Sequence, residues 1–158
     1  MIVFNFDVVA RPHEELSNRT PDPEGMRLWR MFHEQTMGRM ALVVDEEVNK
    51  EVFEHWLLVN NVKAAMYQEL DTKDPAIKAD KVQLLMTSTG RVDWYVDNDP
   101  IAAAKTLRLG IPTLLVANPY IVRPEWSGIK AARSWDDLVH EVESQVIMKA
   151  EKNWGEMT

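Results

Sequence analysis

The stretch that most constrains this chain is residues 2–9, IVFNFDVV. Its apolar side chains fall on both faces, and a strand of that kind belongs in the centre of a parallel sheet covered on both sides. Side chains two residues apart share a face of a strand, so Asn5 and Asp7 are expected to emerge together at its carboxyl end. In open α/β sheets, that end is where ligands bind.

The rest of the chain alternates between strand-like and helix-like segments. Residues 10–25 are rich in Pro, Asn, Asp and charge and read as an exposed loop; its Asn18-Arg19-Thr20 triplet matches a glycosylation acceptor by chance. Asp22-Pro23 has the form of an N-cap with proline at the first helical position, and Met26, Trp29, Phe32 and Met37 follow at helical spacing up to Gly38. Residues 40–45 predict a second buried strand and 46–60 a helix whose inner side carries Phe53 and Trp56. Residues 63–70 fit a third strand, with a continued helix as the alternative. Asp74-Pro75 opens a helix carrying Ile77, Val82 and Leu85 and ending at Gly90. Residues 91–97 form a fourth strand that delivers Asp97, Asn98 and Asp99 to its carboxyl end. Pro100 begins a helix stopped by Gly110, 111–118 is a fifth strand, and Ser134 caps a last helix carrying Leu138, Val142 and Val146. The tryptophans Trp29, Trp56 and Trp94 read as packing residues. Five strands, each followed by a helix, imply a doubly wound α/β sheet of parallel strands with helices on both faces. The strand that starts at Ile2 is central, between those ending at Asp45 and Asp97.

Composition narrows the function classes. With 158 residues and 46% hydrophobic content the chain can bury one full core, so a single domain over 1–158 is expected. A net charge of −7 argues against non-specific nucleic-acid binding, which needs positive surface. The absence of cysteine excludes disulfides, zinc-thiolate sites and thiol nucleophiles. No apolar run approaches the roughly 20 residues of a membrane span, and no leader segment precedes the first strand; a soluble, cytoplasmic protein is the expectation. The four histidines lack metal-ligand spacing, and no G-x-S-x-G turn is present.

Hydrophobic residues followed by Asp-x-Asp at the end of strand one characterise the haloacid dehalogenase (HAD) superfamily, and this chain resembles it with Asn5 in the first of the two positions. From Ile2 to Asn118 the elements occur in that superfamily's order. The spacing is most similar to the phosphatase half of phage polynucleotide kinase-phosphatase, whose Asp and Lys at the start of the helix before strand four match Asp74 and Lys78, with Lys81 competing for the lysine. RPEW at 123–126 resembles small HAD-like proteins encoded by bacteriophages of actinobacteria. The resemblance implies a Rossmannoid fold with a minimal cap or none. It also implies Mg²⁺ held near Asp7, Asp97, Asn98 and Asp99, a nucleophile at position 5, a proton-handling acid at Asp7 and phosphate binding at position 45.

Three of those positions depart from the pattern. Asn5 is a far poorer nucleophile than a carboxylate, although its carbonyl can still ligate a cation. Asp45 stands where the family has Ser or Thr, and an acid there repels phosphate unless it is protonated or paired. Asn98 replaces the second acid of the metal pair. Blander roles stand beside each: Asp7 and Asp97 as loop caps, Lys78 and Lys81 as solvated lysines on an exposed helical face. Trp126, in a loop with Arg123, closes over the sheet edge or faces a partner. Three readings remain. The first is a catalytically degenerate HAD-like protein, phage-encoded, that binds a host or phage protein or a small phosphorylated ligand, with Mg²⁺ weak at best. The second is a working Mg²⁺-dependent phosphohydrolase. The third is a structural homo-oligomer.

Overall fold

A computed structural model of the chain describes residues 1–70, 74–117 and 135–155; Asn118, Arg123, Trp126 and Ser134 lie outside the described residues. Five strands, β1 (Ile2–Asn5), β2 (Met40–Val44), β3 (Met66–Glu69), β4 (Trp94–Asp97) and β5 (Thr113–Leu115), form one sheet in the order β3-β2-β1-β4-β5. Every pairing is parallel. The helices are α1 (Phe6–Val9), α2 (Pro23–Thr36), α3 (Lys50–Val59), α4 (Pro75–Thr89), α5 (Pro100–Arg108) and α6 (Trp135–Gly155), with a short 3₁₀ turn at Leu16–Asn18. The result is a Rossmann-like α/β arrangement with β1 central between β2 and β4, as the alternating pattern predicts. Among the described residues, no helix is long and apolar enough to cross a membrane.

Both faces of the sheet are covered, and the period of two along each strand decides what each cover meets. Ile2 and Phe4 face a core built with Met26 and Trp29 of α2 and Phe53 and Trp56 of α3. Val3, Ala41, Val43 and Tyr95 face the other core, with Val82 and Leu85 of α4. Aromatic rings fill the first core edge to face: Phe4 on Trp29 at 5.2 Å, Phe6 on Phe53 at 5.0 Å and on Trp56 at 4.9 Å. Carried one step further, the same alternation puts Asn5, Asp45 and Asp97 on the α4 side of the carboxyl edge. The register agrees, pairing Asn5 with Val43 and Phe4 with Val96, so Asp97 lies level with Asn5.

Several boundaries differ from the sequence reading, each for a local reason. The first strand stops at Asn5 and does not run to Val9. The Asn5 side chain accepts the Asp7 N–H at 2.8 Å and so caps the helical turn of α1. Asp7 is therefore a helical residue and does not share a strand face with Asn5. The helix expected from 46 begins at Lys50, because Asn49 caps it by accepting from the Glu51 and Val52 amides. Residues 66–69 are a strand, which settles the alternative in favour of β3. Trp94 and Ile77, expected to pack inward, are 42% and 40% exposed.

The connection after α1 is held by its base. Ala10 bridges Pro21 antiparallel, the Asp22 N–H donates to the Val9 carbonyl and the Arg11 N–H to that of Thr20, each at 2.8 Å. This closure carries Arg19 back to the sheet edge. It also brings α2 against α1 so closely that a Cβ on Gly25 would lie 1.7 Å from the Val8 carbonyl oxygen.

Candidate functional site

At the carboxyl edge, Asn5 is fully inside the protein, 1% exposed. With its Oδ1 engaged by the Asp7 N–H, its Nδ2 points at Asp45 and donates to both carboxylate oxygens at 3.0 Å. The geometry fixes the amide orientation, since a carboxylate accepts and does not donate. The acid at position 45 is thus paired on its Asn5 side.

Its other partner is Lys78. Asp74 caps α4 by accepting the Ala76 N–H at 2.8 Å, and Lys78 stands one turn in, on the side that faces the sheet. Its ammonium lies 2.7 Å from Asp45 Oδ2 and 3.3 Å from Asp97 Oδ2. At 2% exposure it is not the solvated lysine expected of that helical face; Lys81 is the exposed one. A lone charge at such a depth costs several kcal/mol, so the lysine is tolerable only because two carboxylates meet it. Burial pulls the Lys78 pKa down, but Asp97 and Asp45 outweigh it together and hold the ammonium protonated well above its ordinary range.

Asp97 is 0% exposed and both of its oxygens are occupied. Oδ1 accepts the Asp99 N–H at 2.9 Å, while Oδ2 takes Lys78 and the Tyr95 hydroxyl. Burial pushes its pKa up to about 6 despite the opposing pull of Lys78 and the Tyr95 hydrogen bond. Burial likewise raises Asp45, with Lys78 opposing, and lifts the Tyr95 phenol well above 10.

A second charge cluster holds Asp7. Arg19 donates from Nη1 to Asp7 and from Nη2 to Glu46, both at 2.6 Å, with its guanidinium 5.2 Å from the centre of the Phe6 ring. Its carbonyl accepts the Trp56 indole N–H at 2.8 Å, which anchors the loop. Asn98 Nδ2 donates to the Asp7 carbonyl at 3.2 Å. Asp99 caps α5 through the Ile101 and Ala102 amides. A cavity of about 410 Å³ opens above this edge, bordered by Asp7, Asp45, Lys78 and Asp99 and, from α6, by Glu143 and Val146.

The structure therefore gathers Asn5, Asp7, Asp45, Lys78, Asp97, Asn98 and Asp99 at one edge, but pairs them internally. As arranged, the donor set does not fit Mg²⁺. Asp97 has no vacant oxygen, Asp7 shares one with a guanidinium, and Lys78 sits among the carboxylates where a cation would compete. Among the described residues, no three His, Asp or Glu side chains converge as metal ligands. Two contributors escaped the sequence reading. Tyr95 was discoverable, lying two residues before Asp97 and so on its face of β4. Arg19 carried no signal, because it reaches Asp7 only through the closure of the loop. No protein-family model matches the chain, and no curated protein matches it.

Proposed function

We propose that this protein is a catalytically degenerate member of the HAD superfamily that acts by binding another protein and not by hydrolysing phosphate esters. One observation carries the reading: the position of the family's nucleophile holds an amide whose Nδ2 donates to Asp45. Phosphoryl transfer needs a free carboxylate there and a hydrogen-bond donor at position 45 for the transferred group. Here donor and acceptor have changed places and bond to each other. Lys78 is held by two carboxylates and Arg19 by two more, so neither cation is available to an incoming phosphate. Of the charged side chains bordering the cavity among the described residues, Asp7, Asp45, Asp99 and Glu143 oppose an anion and Lys78 favours one. That balance argues for a protein partner over a phosphorylated ligand.

The test is hydrolysis of an aryl phosphate with Mg²⁺ by the unmodified chain, Asn5→Asp, and Asn5→Asp with Asp45→Ser. The unmodified chain is expected to show no turnover, and the pair to recover more than the single change because it restores both halves of the exchange. Robust turnover by the unmodified chain, lost on Asp7→Asn, overturns the reading and establishes a working phosphohydrolase.

A further inference from the structure

A second cavity, of about 170 Å³, lies between α6, the end of β5 and the chain after α1. Leu138, Val142 and Val146 recur every four residues along α6 and, with Val8 and Val116, give it an apolar wall. Lys149 continues that stripe, and Arg11 stands across from it on the loop. The Lys149 side chain is only 20% exposed, so its charge needs a partner.

The partner it has is inadequate. Asp22 Oδ1 is engaged in capping α2 through the Glu24 and Gly25 amides. Asp22 Oδ2 is shared between Lys149 at 3.8 Å and Arg11 Nε at 4.0 Å, both beyond hydrogen-bond distance. Arg11 Nε is buried and has no acceptor. Buried donors in native proteins are nearly always paired, and this one stands at a cavity wall where a ligand oxygen or a water can reach it. Burial lowers the Lys149 pKa, and the Arg11 charge adds to that lowering against Asp22. Glu141 is no remedy, standing eight residues earlier on α6, roughly 12 Å along the axis. Asp7 and Glu141 also border the cavity, but Arg19 holds Asp7 and Gln145 donates to Glu141, so among the described residues the two cations at this end share the Asp22 carboxylate.

We propose that the cavity binds a small organic monocarboxylate, its carboxylate between Arg11 and Lys149 and its apolar body against α6. The charge matches a monoanion and falls short of a phosphate dianion, which would also leave the apolar wall unused. Guanidinium and ammonium donors suit a carboxylate. The volume is close to the ~150 Å³ that accommodates a benzene ring, which sets the ligand at about the size of benzoate. The cavity shares Asp7, Asn98 and Val146 with the one above the sheet edge, but neither Arg11 nor Lys149 joins the Lys78 and Arg19 clusters, so the proposal does not rest on the proposed function.

The experiment is calorimetric titration of the full chain with benzoate, and with benzyl alcohol as the uncharged control of equal shape. Benzoate is expected to bind at least tenfold more tightly than benzyl alcohol. Arg11→Gln and Lys149→Gln, both at partly exposed positions, should each weaken benzoate about tenfold, the loss of one charge-assisted contact. Val142→Phe, which fills the cavity, should abolish binding with an unchanged circular dichroism spectrum. Should that variant unfold, the two charge variants decide. No benzoate binding at millimolar concentration, equal binding of benzoate and the alcohol, or undiminished affinity in both charge variants overturns the proposal.

Discussion

Replacing Asn5 by Asp changes one amide nitrogen for oxygen and probes the centre of the site. In the structure that nitrogen donates to both oxygens of Asp45 at 3.0 Å, so the substitution sets two carboxylates at that separation. At an effective dielectric constant of about 20, two such charges repel by about 5 kcal/mol. Proton uptake limits the cost. Holding an aspartate neutral from an unfolded pKa of about 3.9 up to pH 7 takes about 4 kcal/mol, and Lys78 offsets part of it. Asn5→Asp should therefore lose about 2–4 kcal/mol at pH 7 by urea unfolding. The new carboxyl sets the sign with pH, because its folded pKa is raised above its unfolded one. Its cost is absent below about pH 4 and grows as pH rises toward the folded value. Asn5→Asp with Asp45→Asn, which reverses the pair and keeps one carboxylate and one amide, should recover at least half the loss. A double-mutant coupling of about 1.5 kcal/mol or more is expected. A single variant as stable as the parent at pH 7, or an additive cycle, refutes the claim that Asn5 and Asp45 act as a pair.

Lys78→Met leaves Asp45 and Asp97 buried without their cation and should cost about 3–5 kcal/mol at pH 7, shrinking at pH 4 as both carboxyls protonate; urea midpoints at the two pH values check it. Gly25→Ala drives a methyl into the Val8 backbone and should cost about 2–3 kcal/mol or more, lowering the melting temperature by several degrees. Asp97, raised to about 6 by burial, keeps its proton in the folded state to higher pH than in the unfolded state. The stability of the parent relative to Asp97→Asn should thus fall by about 2–3 kcal/mol as pH rises from 4 to 6, and a flat difference over that window contradicts it.

The parallel direction of the strands and the central place of β1 were legible, because apolar runs and turn residues alternate cleanly from Ile2 to Val116 and β1 is apolar on both faces. Capping signals at Asp22 and Asp74 and the proline at position 100 located three helix starts to the residue. The end of β1 was not legible. Phe6, Val8 and Val9 suit a strand or a helical turn equally over so few residues, and the choice is made by the Asn5 side chain capping α1. The gathering of Asn5, Asp45 and Asp97 was readable from strand ends, whereas Asp7 joins them from the helical turn of α1 and not from a strand face. Their pairing was not readable, because it depends on a lysine whose depth is set by carboxylates 33 and 19 residues away in sequence. A period-based reading scores Lys78 as exposed, since it treats charge as a reason for solvent and has no way to see two long-range partners.

Those partners explain why the residues at positions 5 and 45 belong together. A carboxylate at position 45 is tolerable at its depth because Lys78 and the Asn5 amide both donate to it, while Lys78 also neutralises Asp97. With a carboxylate at position 5 instead, Asp45 would lose a donor and gain a repulsion, and one lysine would face three acids. With a serine at position 45, Lys78 would retain only Asp97, freeing part of its charge for a ligand. The amide at 5 and the acid at 45 therefore form a closed arrangement that locks the lysine inward. A phosphoryl group entering the cavity would have to compete with two carboxylates for that lysine, and meets Asp7, Asp99 and Glu143 on the way. Changing both positions should therefore restore more hydrolysis than changing position 5 alone, because the single change leaves Lys78 engaged by Asp45 against the substrate.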